Sequence, residues 1–206
     1  MSVSSSINQR NPVLLIHGIS DTVAKFNAMK RHLNQLGWEV HSINLTPNTG
    51  WIGLDILAKQ IAEYIETTFM SSQSIDLIGF SMGGLVTRYY LQRLGGIHRV
   101  QRYISISAPN YGTWMAYGLP LPGIIQMRPH SEFLQDLNDH SVNLLEKINF
   151  TTIWTPYDLM ILPPQSSRMC VGQEIIVPVL VHAWMVTDTR VLKVVADLLL
   201  EPVKSY

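Results

Sequence analysis

Apolar positions along this chain fall into two kinds of run that take turns. Short, mainly apolar runs bounded by glycine or polar residues read as buried strands, as at Pro12–His17 and Ile75–Ile78. Val100–Ser107, Phe150–Thr155 and Glu174–Val181 read as strands too, and Trp38–Asn44 alternates in the manner of a half-buried one. Between them lie stretches with apolar residues at helical spacing. Phe26, Met29, Leu33 and Leu36 mark a helix over Lys25–Leu36, with Asp21 and Thr22 before it and Gly37 after it. Leu54, Leu57, Ile61 and Ile65 mark another over Leu54–Phe69, after the turn-rich segment Thr46–Gly53. A third spans Met82–Leu94 and stops at Gly95-Gly96, and Asp188–Leu200 closes the chain with an amphipathic helix. Strand and helix alternating in this way predict an α/β fold, a mostly parallel central sheet with helices on both faces.

In such a sheet the working residues gather at the carboxyl ends of strands. His17-Gly18, Ser81, Pro109, Asp158 and His182 all follow predicted strand ends. The most informative of these sits in Gly79-Phe80-Ser81-Met82-Gly83, a serine between two glycines where a strand meets a helix. That turn holds one serine in a strained conformation, and the glycines are needed because a Cβ there would strike neighbouring backbone. The helix beginning at Met82 aims its free N–H groups at the same point.

A serine hydroxyl needs a base, and the base needs a carboxylate to orient it. Of seven histidines, His182 follows a late strand and precedes the last helix, whereas His32, His41, His98, His130 and His140 lie in helices or surface loops. Asp158 follows the strand Phe150–Thr155 and lies between Ser81 and His182 in the chain, so the order is Ser, Asp, His. Asp188, the rival carboxylate, reads as the cap of the final helix. Ser81, Asp158 and His182 are therefore the candidate catalytic residues. Backbone N–H groups of Ile19 and Met82 are the candidate oxyanion donors. His17, Gly18, Phe80, Trp114 and Trp184 are the candidate substrate-binding residues.

These motifs resemble those of a known family. Leu15-Ile16-His17-Gly18-Ile19, Gly79-Phe80-Ser81-Met82-Gly83-Gly84, Ala108-Pro109-Asn110-Tyr111-Gly112-Thr113, Asp158 and His182 are similar to the α/β-hydrolase lipases and esterases. The nearest in style are the small, minimal bacterial triacylglycerol lipases of the Bacillus and cyanobacterial type. The resemblance implies a minimal α/β-hydrolase with a Ser81–His182–Asp158 triad. It implies hydrolysis of carboxylic esters of glycerolipids through an acyl-enzyme, with no cofactor. Many lipases carry histidine where this chain has Phe80, a difference of packing and not of mechanism. An acyltransferase or thioesterase using the same triad is the alternative, and a non-catalytic lipid-binding protein on the same fold a more distant one.

Composition narrows the picture further. At 206 residues the chain suits one domain, expected over 11–206 after a flexible N-terminus over 1–10. Residues 108–145 form an apolar insert near the site, with Trp114, Met115, Tyr117, Leu119, Leu121, Ile124, Ile125 and Met127 among Gly and Pro. The insert is too short for a large cap. The formal net charge of +0 argues against a nucleic-acid partner. With charged residues at 15% and a mean hydropathy of +0.14, the surface has room for transient contact with a membrane. The single cysteine, Cys170, makes no internal disulfide, and the first residues lack a signal-peptide pattern, so a cytoplasmic location is expected. No histidine or cysteine spacing suggests a metal.

Overall fold

A computed structural model describes residues 10–139 and 141–204; the expected flexible N-terminus, apart from its last residue, and His140 lie outside them. The elements follow one another as β1 (Val13–Ile16), α1 (Asn27–Gln35), β2 (Val40–Ile43), α2 (Leu54–Thr68), β3 (Ile75–Phe80), α3 (Met82–Arg93) and β4 (Val100–Ile106). Then come α4 (Pro122–Gln126), α5 (Glu132–Asn138), α6 (Ser141–Leu145), β5 (Asn149–Trp154), β6 (Gln173–Ile176) and α7 (Thr189–Leu200). Among the described residues the six strands form one all-parallel sheet in the order β2-β1-β3-β4-β5-β6.

Because side chains alternate across a strand, each strand feeds two cores. Leu14, Ile16 and Leu77 pack with Leu57, Ile61 and Ile65 of α2 and with Leu85 and Val86 of α3. Val13, Leu15, Ile78 and Ile104 pack on the other face with Met29 and Leu33 of α1 and Val191, Val195 and Leu199 of α7. Coverage of both faces accounts for the mainly apolar β1 and β3, and β3 is buried at every position, Asp76 included. No helix among the described residues is long and apolar enough to cross a membrane.

Several boundaries differ from the sequence reading, each for a local reason. Residues 23–26 wind as a 3-10 turn before α1, and Thr22 gives no side-chain cap to hold a full helical start. Leu36, expected on the buried face, is exposed past the end of α1, where Gly37 at φ +90° turns the chain away. The second strand opens at Val40 instead of Trp38. The strand expected to reach Val181 ends at Ile176, since Pro178 has no N–H to give a ladder. His41, expected to be solvated, is half-buried in β2 with its ring nitrogens against the Tyr64 hydroxyl at 3.1 Å and Glu39 at 2.7 Å.

Strand order reverses between β1 and β3, and that is where an open parallel sheet leaves a crevice at its carboxyl ends. The register pairs Ile16 with Gly79, so the two strands end level and bring residues 18–19 beside residue 81.

Candidate active site

Ser81 occupies the turn between β3 and α3 at φ 54°, ψ −127°, a conformation that costs an L-residue about 1–3 kcal/mol. Its surroundings enforce it. The Ser81 N–H donates to the Ile106 carbonyl at 2.9 Å, and the Ser81 carbonyl accepts from the Gly84 N–H at 2.9 Å. A Cβ on Gly79 would lie 2.7 Å from the Gly84 Cα, and one on Gly83 would strike the Ile16 and His17 carbonyls. Glycine at both positions therefore lets α3 lie directly on the ends of β1 and β3. A Cβ on Gly18 would come 3.0 Å from the Ser81 Cβ, so the loop after β1 touches the serine turn itself. Met82, the residue after Ser81, is the first of α3, where backbone N–H groups have no partner within the helix. Ile19, half-buried, lines the cleft with Ser81.

Asp158 and His182 meet across two loops. Asp158 Oδ2 accepts from His182 Nδ1 at 2.7 Å. Its other oxygen, Oδ1, accepts from the Met160 N–H at 2.9 Å and the Ile161 N–H at 3.0 Å. The carboxylate is only 1% exposed, so both oxygens are fixed in place. Thr155 secures the base of the arrangement, donating its hydroxyl to the Val179 carbonyl at 2.7 Å and tying β5 to the strand-like segment before His182. Phe80 lies against the histidine, ring centroids 4.8 Å apart, and limits its rotation. Ser81 and His182 line one cavity of about 410 Å³. A carboxylate on Nδ1 leaves Nε2 as the basic nitrogen, which is the tautomer that general-base work needs.

Ser81 also opens on a second, smaller cavity of about 190 Å³ walled by Ile19, Met115, Leu119, Ile124, Met127 and Ile161. Most of these walls come from the insert, through a 3-10 turn at Trp114–Tyr117 and α4. Thr113 anchors the insert, its hydroxyl donating to the Met160 carbonyl at 2.9 Å and accepting from the Leu162 N–H at 2.9 Å.

The remaining sequence candidates sort differently. His17 is fully buried, its Nδ1 donating to the Gly18 carbonyl at 2.8 Å and its Nε2 accepting from the Leu45 N–H at 3.1 Å. Both ring nitrogens are thereby used, and burial holds the imidazole below its ordinary pKa, so His17 is a neutral strut under the loop. Trp114 and Trp184 are 68% and 55% exposed, while their neighbours Met115 and Ala183 supply the cavity walls. Asp188 caps α7, accepting from the Arg190 N–H at 2.9 Å.

One buried cation carries no sequence signal at all. Arg88 of α3 is completely buried and donates to Gln92 Oε1, Asn110 Oδ1, the Leu137 carbonyl and Asn138 Oδ1. These four acceptors are neutral, and burial brings its pKa down to about 10. The guanidinium staples α5 and the loop after β4 onto the helix that carries the serine turn.

The family model for palmitoyl protein thioesterase matches residues 12–122. The chain belongs to that family. The matched span holds β1, Ser81 and the loop after β4, and it ends before Asp158 and His182. A Pseudomonas fragi triacylglycerol lipase is 31% identical over 125 residues, covering 58% of this chain and 41% of the relative. A Dictyostelium discoideum palmitoyl-protein thioesterase 3 is 24% identical over 123 residues, covering 57% and 41%. The chain thus spans well under half the length of these curated relatives. Among solved structures, the mature form of Bacillus licheniformis lipase BlEst2 superposes with a TM-score of 0.76 at 15% identity, over 92% of each chain. Aspergillus fumigatus lipase B gives 0.80 at 19% identity, over 96% of this chain and 54% of the other. At such identities these two show the fold alone, one all-parallel sheet covered by helices on both faces.

Proposed function

We propose that this chain is a serine hydrolase that cleaves acyl esters of glycerolipids. Ser81 attacks the ester carbonyl while His182 Nε2 takes its proton, and Asp158 stabilises the imidazolium that results. The N–H groups of Ile19 and Met82 bind the oxyanion. His182 then gives its proton to the leaving alcohol, and water, activated by the same histidine, releases the fatty acid from Ser81. The observation that carries this reading is the 2.7 Å bond from His182 Nδ1 to Asp158 Oδ2, in a cleft that His182 shares with a serine held at φ 54°.

The acyl chain occupies the apolar cavity beside Ser81, where each buried methylene contributes about 0.8 kcal/mol. Exposed Trp114, Tyr117, Leu119, Leu159, Leu180 and Trp184 surround the two cavities and suit transient contact with a lipid surface. Ser81→Ala should reduce p-nitrophenyl ester hydrolysis to a small residual rate and abolish labelling by a fluorophosphonate. Labelling of the wild type without Ser81-dependent turnover of any ester would overturn ester hydrolysis in favour of thioester hydrolysis or acyl transfer. Absence of labelling would overturn the enzymatic reading altogether.

The thioesterase reading has its own support in the family match and the Dictyostelium relative. The same triad attacks a thioester carbonyl equally well. Comparison of an acyl ester with the thioester of the same chain length separates the two by their kcat/KM.

A further inference from the structure

His182 has to hand its proton to the departing oxygen, which dictates where the leaving group lies. The 190 Å³ cavity reaches Ser81 but not His182, whereas the 410 Å³ cavity is walled by both. An ester with its carbonyl carbon at Ser81 and its bridging oxygen facing Nε2 therefore sends its acyl chain into the first cavity. Its alcohol enters the second.

That second cavity is otherwise lined by apolar side chains, among them Phe80, Leu159, Leu180 and Val181, yet one wall carries a carboxylate and an ammonium. They belong to Asp21 and Lys25, from the loop after β1 and the 3-10 turn that follows it. Lys25 Nζ stands 3.6 Å from Asp21 Oδ1, with side chains 21% and 25% exposed respectively. A close charge-assisted bond would span about 2.7–2.9 Å, so this pair is loose and keeps donors and lone pairs to spare. Lys25 Nζ also lies 5.6 Å from the centre of the Phe80 ring, which itself packs against His182. The pair and the base thus both border the Phe80 ring and line the same cavity.

A group that satisfies both partners has to donate to the carboxylate and accept from the ammonium at once. Hydroxyls do this. An anionic leaving group gains Lys25 but is repelled by Asp21, a cationic one gains Asp21 but is repelled by Lys25, and a plain alkyl group leaves both charges without new partners. We propose that Asp21 and Lys25 are specificity residues that bind free hydroxyls on a neutral polyol leaving group, so that the site selects glycerol or sugar esters over simple alkyl esters. The inference rests on the ester-hydrolase reading above and adds to it the chemistry of the alcohol.

The test holds the acyl group constant and varies the alcohol. kcat/KM is measured for 1-octanoylglycerol, 6-O-octanoylglucose and n-propyl octanoate, with p-nitrophenyl octanoate as the check on chemistry. The expected wild-type preference for a hydroxylated ester over the propyl ester is roughly tenfold, about the value of one hydrogen bond to a charged group at a partly exposed site. Whichever hydroxylated ester leads identifies the polyol as glycerol or sugar. Lys25→Met and Asp21→Asn should each bring the ratio to within about twofold of unity, and Lys25→Arg, which keeps a cationic donor, should retain most of it. Each ratio is taken within one protein preparation, so a general loss of folded enzyme does not move it. A wild-type ratio near one, or a ratio unchanged in both Lys25→Met and Asp21→Asn, overturns the assignment. Failure to hydrolyse even p-nitrophenyl octanoate overturns the hydrolase reading instead.

Discussion

Replacing Asp158 by asparagine tests the proposed triad sharply, because the surrounding backbone decides how the new amide must sit. Asp158 Oδ1 accepts two N–H groups, from Met160 and Ile161, while Oδ2 accepts one, from His182. Asparagine has a single side-chain oxygen. Turning its NH₂ toward Met160 and Ile161 would set donors against donors and strand both N–H groups, the buried one of Ile161 at about 1–3 kcal/mol and the part-buried one of Met160 at less. The oxygen therefore stays on the backbone side and the NH₂ faces His182 Nδ1. That nitrogen must then accept, which moves the imidazole proton to Nε2 and removes the base from Ser81. The expected loss is about 10⁴-fold in kcat with the fold intact, equivalent to about 5 kcal/mol of transition-state stabilisation. Asp158→Ala differs in kind, since it abandons both backbone N–H groups and should lower the melting temperature as well. Steady-state hydrolysis of a p-nitrophenyl ester, paired with thermal melts of both variants, reads these effects separately. An Asp158→Asn enzyme within about tenfold of wild-type kcat and with an unchanged melt would refute the argument. It would leave Asp158 as no more than the organiser of its own loop.

Two further predictions concern the scaffold. Gly83→Ala forces a Cβ to within 2.9 Å of the Ile16 carbonyl carbon and onto two carbonyl oxygens, so it should cost about 3 kcal/mol or more. At Gly95→Ala nothing lies within 4 Å and only the φ of +78° opposes a side chain, at about 1–2 kcal/mol, and urea melts should rank the two in that order. Asp76 is the third site of interest: burial pushes its carboxyl from the ordinary 3.8 up to about 6, with Arg102 and Asn11 opposing the shift. The folded state then binds more protons than the unfolded one between those values, so this group costs stability as pH rises through that window. Asp76→Asn should gain on the wild type as pH goes from about 4 to 7, a change in the stability gap that denaturant melts at several pH values would detect; a gap that narrows or stays constant would contradict it.

Features that depend on neighbours in sequence were legible before the structure. Mainly apolar runs marked β1 and β3 because both faces of the sheet are covered, and Gly79 and Gly83 marked a turn that tolerates no Cβ. Leu54, Leu57, Ile61 and Ile65 marked α2 because that helix buries one face only. Features built by distant partners were not legible. Arg88 finds acceptors on residues 110, 137 and 138, and α3, buried on nearly all sides, has no polar face from which an arginine would look misplaced. Asp21 stands before the helix expected at Lys25, yet the helix starts later and Asp21 lines the cleft instead. His17 sat in the right loop but points to backbone groups of residues 18 and 45, and no local pattern reveals which way a ring turns.

The strand order gives these observations a common cause. With β1 and β3 adjacent and their connections leaving to opposite faces, the loop after β1 and the turn after β3 must share the crevice between them. One cavity is roofed by the insert after β4, and the other is walled by the loop after β1 and the segments after β5 and β6. The proposed acyl and alcohol sites are thereby built from separate stretches of chain that meet only at Ile19, Ser81 and Met160. Substitutions in the insert, such as Ile124 or Met127, should therefore alter chain-length preference while leaving the choice of alcohol unchanged, and changes at Asp21 or Lys25 should do the reverse. Coupling between the two sites has little route except through those three shared residues.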